Sequence, residues 1–433
     1  MIEMIRKLKL SNLRRYLKRF FYKLIGRTGE SDIETRQALA RFDYLNQLFL
    51  VSLCGGQKQE YDKPIPRKVW IANWIARISV IYTFTRVSLF MCYQGNDKID
   101  LYLANLISED VTPSKTSMLA LTNITIFILF ALREYIHYIE RSGYLTSLRS
   151  FVDIRIHGVT YEPLKLNERC SRIFSKICHI LMINGIRSLI LLCVWATSLT
   201  IMLRLYFSAT YATKERIFFM IFHIPIAIVA LITVCSSLLS IGFNLWALLA
   251  FQIAHIDSII DQIKYLFSKL PLSQPELRHV NEQMISVLND NDQTNRQINY
   301  LLLYLDGLIA IEADIMLLFT LVYKLFSDFI SKLVSFSGIL THFFLVSGTY
   351  WASRYHVLSI HGYYTKLVLN LKATCPAKFK ALEVQDRIKR NETGISIGDF
   401  ATFTARFSLI FILENINFIM LLACNINSLL YPS

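Results

Sequence analysis

Seven mainly apolar stretches, each about 20 residues or longer, lie near positions 69–93, 116–139, 184–207, 217–249, 304–326, 333–354 and 402–424. A hydrocarbon core about 30 Å thick takes a helix of that length. Inside it every backbone N–H and C=O must be satisfied within the segment, which leaves the helix as the only form for an isolated span. Charged residues make up only 18% of the 433 positions, against about 25% in a soluble domain. The pattern predicts an all-α membrane protein with seven transmembrane helices. The fourth stretch is long enough to continue past the bilayer as a helix.

The cations between these stretches are unevenly placed. Counting Lys and Arg in order from residue 1, alternate segments carry 15, 8, 4 and 8, against 2, 2, 2 and 0 for those between. Segments rich in Lys and Arg stay in the cytosol. The N-terminus is therefore expected to be cytoplasmic and the C-terminus extracellular, in the plasma membrane. The same placement explains the net charge of +14 as topology selection, so no nucleic-acid partner is expected. A G-protein-coupled receptor has the opposite orientation. No DRY closes the third stretch and no NPxxY the seventh, so no G protein is required.

The boundaries follow from this topology: a basic cytoplasmic region at 1–68, spans one to four at 69–249 and a cytosolic helical loop at 250–303. Spans five and six occupy 304–354. Residues 355–401 form a cytosolic loop that leads into span seven, and 402–433 hold that span and a short external tail. In the first region Leu10, Leu13, Leu17, Phe20, Phe21 and Leu24 recur at helical spacing among Lys and Arg. This suits a helix lying on an anionic leaflet or a mitochondrial presequence. No cleavable signal peptide is visible. In the 250–303 loop Ile253, Ile256, Ile260, Ile263 and Leu266 form an apolar stripe, and Pro271 and Pro275 break the helix behind it. Such a stripe must be buried, either in an anchor between subunits or against other helices of the same chain.

No HExxH, GxSxG, GxGxxG or P-loop occurs, and the eight cysteines include no CxxC. The chain reads as a non-enzyme with no cofactor or metal site. The chemistry lies in acids placed inside spans, which are costly there and often functional. In the last stretch Glu414 sits beside Asn415 and Asn417. Either it lines a water-filled pore and attracts cations, or it is buried against a partner on a neighbouring helix. Further along, Leu421 and Leu422 would either close a pore by dewetting or simply pack. In span five, Glu312 and Asp314 would bind a polar ligand or hold the bundle together. Trp195, Tyr206, Phe219, Phe222, His223, Phe336, His342 and Phe343 gather in the middle spans. Aromatics of this kind anchor helices at interfaces, but two histidines among rings would also suit a pocket for a small organic ligand.

The span pattern, the inside N-terminus and the long fourth loop resemble the insect chemoreceptor superfamily, gustatory receptors in particular. Gly398-Asp399-Phe400 stands where that family carries a G-x-F segment before span seven. Asn417-Phe418 and Cys424-Asn425 stand at about the spacing of its closing TY-x5-QF, with an aromatic kept and the Gln replaced. The resemblance implies a homo- or hetero-tetrameric, ligand-gated, non-selective cation channel embedded in membrane lipids and opened by a small molecule. It further implies that span seven lines the pore, with Glu414, Phe418, Leu421, Leu422 and Asn425 as pore and gate candidates. A secondary transporter with a midplane site, or a non-conducting scaffold of the same fold, are the alternative readings.

Overall fold

The computed structural model describes residues 32–52, 65–93, 97–103, 112–142, 149–211, 214–268, 274–318, 320, 328–354, 358–369, 375–389, 395–397, 401–402 and 404–430. Nearly all of them are helical. The expected amphipathic helix at 10–24 and the Gly398-Asp399-Phe400 segment lie outside the described residues.

Helices stand at each of the seven apolar stretches. They are α2 (Arg67–Cys92), α4 (Thr112–Arg141), α6 (Glu168–Tyr211), α7 (Lys214–Ser268), α9 (Ala310–Leu317), α10 (Asp328–Arg354) and α13 (Ala405–Leu430). Among the described residues four of them, α2, α4, α6 and α7, are long and apolar enough to cross a membrane. At about 1.5 Å per residue, the 44 residues of α6 and 55 of α7 far exceed a bilayer core. Pro225 sits inside α7 without ending it.

The other helices are α1 (Asp32–Leu48), ahead of α2, and α3 (Asp97–Tyr102), α5 (Arg149–His157), α8 (Gln274–Leu303), α11 (Leu358–Leu369) and α12 (Cys375–Lys389) between the rest. α1 lies across α5 and α6. Its Thr35, Ala38, Leu39, Phe42 and Asn46 repeat at helical spacing and are buried. The Thr35 hydroxyl meets that of Ser175 at 2.9 Å, and Asp43 pairs with Arg155. Two residues past the end of α1 stands Leu50, a non-glycine in the left-handed region at φ 57. Two side chains of α4 catch its carbonyl, His137 at 2.8 Å and Arg133 at 3.4 Å. Arg133, fully buried, also donates to Asn73 of α2 and to Glu134.

The far end of α7 packs with α8, α11 and α12 into one block. Ile256, Ile260, Ile263 and Leu266 are buried there alongside Leu277, Val280, Met284 and Leu288 of α8. Of the two fates open to that apolar stripe, the chain itself supplies the cover. Tyr364 of α11 donates to Asn281 of α8 at 2.5 Å, and Arg387 of α12 reaches Asp292 at 2.6 Å.

Two helices begin at side-chain caps. Asn167 accepts from the Cys170 N–H at 2.7 Å to start α6, and Thr404 accepts from Phe407 N–H at 3.0 Å to start α13. Just before α13, β1 (Ser396–Ile397) pairs antiparallel with β2 (Ala401–Thr402), in the register Ser396 to Thr402. This two-stranded hairpin rests on α8 and fixes where α13 leaves the block.

Candidate functional site

α13 stands at the edge of the bundle and packs on α9 and α10. Ser408 is buried on its packed side, and the Asn415 amide there turns back to its own helix, donating to the Phe411 carbonyl at 2.6 Å. Along the opposite side Glu414, Asn417 and Cys424 are exposed, as are Phe418 (38%) and Leu421 (62%). Glu414, Phe418, Leu421 and Asn425 follow one another by four, three and four positions, which puts them on one face of a helix with about 3.6 residues per turn. The side chains of Leu422, Asn425 and Tyr206 lie outside the described set.

A cavity of about 440 Å³ opens between α6, α7, α10 and the segment that joins α8 to α9. That size is within the roughly 300–1,000 Å³ range of small-molecule pockets. Trp195 of α6 and Phe336 of α10, both among the aromatic candidates, line it. So do Phe243 and Trp246 of α7, with Trp246 stacked on Phe344 at 5.4 Å between centroids. The joining segment, Tyr304–Ile309, is a π-helical turn, a local widening often found at functional positions. It places Asp306, 9% exposed, in the cavity wall. The sequence places Asp306 at the cytoplasmic boundary of the fifth apolar stretch and gives no sign of a cavity there. The Asp306-Gly307 pair inside a long helical stretch signals only a local departure, since glycine weakens a regular helix.

The remaining aromatic candidates lie elsewhere. His223 is buried against α2 and α3: Nδ1 lies 2.9 Å from the Tyr82 hydroxyl and Nε2 3.1 Å from the Tyr102 carbonyl. A carbonyl only accepts, so Nε2 carries the proton and Tyr82 donates to Nδ1, an arrangement that a neutral ring satisfies. Phe219 meets Tyr102 edge-on at 5.3 Å, and Phe222 meets His223 at 5.5 Å. Phe343 is 66% exposed on the outside of α10.

The acids of α9 act between helices. Asp314, 1% exposed, lies with Oδ1 2.8 Å from His342 Nε2, out of line with the ring N–H. This close approach joins α9 to α10. Nearby Gly338 lets the two backbones close, because a Cβ there would stand 3.2 Å from the Ala313 carbonyl oxygen. Glu312 is buried and accepts from the Thr125 hydroxyl of α4.

No family model matches the sequence, and no curated protein matches it. Solved structures do. The chain superposes on the insect olfactory receptor OR5 from Machilis hrabei in complex with eugenol, with a TM-score of 0.55 and 11% identity. The match covers 90% of this chain and 98% of the receptor. A second structure of the same receptor gives a TM-score of 0.54 at 12% identity over the same shares. At these identities the likeness is one of fold. With four helices able to cross a membrane, the chain is a multi-pass membrane protein that shares its fold with an insect olfactory receptor.

Proposed function

We propose that the chain is a subunit of a ligand-gated, non-selective cation channel of the insect chemoreceptor kind, with a gustatory role in the plasma membrane. In this reading all seven apolar stretches cross the bilayer, with the N-terminus in the cytosol. The single observation that supports it most is the bare face of α13. An exposed carboxylate at Glu414 in a membrane helix is unfavourable against lipid, and becomes favourable against water and cations. Copies of the chain set around an axis, four in the tetramer that the family resemblance implies, would cover the remaining face of α13. Phe418 and Leu421 would then narrow the pore. The ligand is a small organic molecule, as eugenol is for the receptor of similar fold, and the 440 Å³ cavity offers it a site.

Whole-cell recording from cells that express the full chain tests this. A tastant-evoked cation current is expected, and Glu414→Gln should lower its divalent permeability severalfold by removing the charge that concentrates cations. Substrate uptake with no channel-like current would support a transporter instead. A current indifferent to Glu414→Gln would remove α13 from the pore.

A further inference from the structure

The chemistry of the 440 Å³ cavity is one-sided. Its walls are mostly aliphatic and aromatic, and Asp306 is its single carboxylate. No Lys, Arg or His lines it. Among the described residues no donor reaches the Asp306 carboxylate, although the residue is nine-tenths buried. Besides Ser337, two hydroxyls of α10 line the cavity and are committed as donors: Thr341 to the Ser337 carbonyl at 2.9 Å, and Thr349 to the Val346 carbonyl at 3.0 Å. Their oxygens therefore offer the cavity lone pairs only. A buried carboxylate without a counter-charge is unfavourable, so Asp306 in this largely apolar wall calls for a ligand that brings a positive charge.

We propose that this cavity binds a small arylalkylammonium ion. Its ammonium would donate to Asp306 in a charge-assisted contact, and its ring would lie among Trp195, Trp246 and Phe336. A cation also gains from the faces of these rings. That such an ion opens the channel rests on the reading given under Proposed function; that it binds does not.

Gly242 gives a clean control. It lines the cavity from α7, and a Cβ added there would meet nothing within 4 Å. The backbone there has room for a side chain to start into the cavity, so Gly242→Leu is expected to occupy the space while replacing a poor helix former with a good one.

The experiment is a ligand-induced thermal shift on the purified full-length protein in lipid nanodiscs. Two probes are compared at neutral pH: phenethylammonium and its uncharged counterpart 2-phenylethanol. Phenethylammonium should stabilise saturably, with an affinity at least about tenfold above the alcohol, in line with the added strength of a charged hydrogen bond. Asp306→Asn should bring the two probes to parity, and Gly242→Leu should abolish both shifts. Equal affinities in the wild type, or a preference for the ammonium that survives Asp306→Asn, would overturn the inference. If Asp306→Asn does not fold, Gly242→Leu decides: an undiminished ammonium shift overturns the site and its loss supports it. Saturable ammonium binding without any current would count against the channel alone. A current evoked by neutral tastants, with no ammonium binding, would count against this inference alone.

Discussion

Tyr364 shows no solvent exposure, and its hydroxyl donates to Asn281 in the block formed by α7, α8, α11 and α12. Burial raises its phenol above the ordinary value, which is about 10 in an unfolded chain. Its contribution to stability is therefore complete below about pH 10 and falls away as the pH rises further, because only the unfolded chain ionises there. Tyr364→Phe keeps the ring but strands the Asn281 oxygen, and should cost about 1–2 kcal/mol at neutral pH. Above about pH 10 its stability should decline less steeply than that of the wild type, as chemical denaturation at several pH values would reveal. Single residues of this kind were hardly legible in the sequence. The two partners of His223, Tyr82 and Tyr102, lie more than a hundred positions away along the chain. Nothing in the spacing of Trp195, Gly242, Asp306 and Thr341 announces that they surround one chamber.

Helix α1 meets α6 at Gly185, where a Cβ would fall 2.6 Å from the Phe42 ring and 3.2 Å from that of Phe243. Gly185→Ala should therefore destabilise by about 1–3 kcal/mol through overpacking, even though alanine favours a helix. Phe42→Leu, which opens the same contact, should relieve much of that loss in the double variant, a non-additivity that melting curves of the four proteins would measure. The long spans were readable because apolar stretches of about 20 residues leave few alternatives. α1 was not called from the sequence, although its buried positions 35, 38, 39, 42 and 46 carry a helical period. Its mean polarity hides that period beside the basic residues before it. For the stripe on α7, sequence pattern showed that burial was needed; only the packing of α8 and α11 shows where the cover comes from.

At the scale of the whole molecule, Cys424 is the exposed cysteine of α13. If copies meet through this helix, a short bismaleimide should join two of them into a covalent dimer on a denaturing gel, and Cys424→Ser should abolish that band. A dimer that persists in the variant, or never forms in the wild type, would place α13 away from its neighbours. The cation counts carry an expectation for sidedness, whereas no periodicity in the sequence bears on whether copies of the chain assemble. α7 links these levels. From Gly242 in the chamber wall to Ser268 at the far end of the block it runs on unbroken, a lever arm of about 39 Å. A tilt of only about 5° at the chamber would swing its tip by roughly 3 Å over that length. A ligand beside Gly242 that tilted α7 would therefore also shift the contacts that α7 makes with α8 and α11.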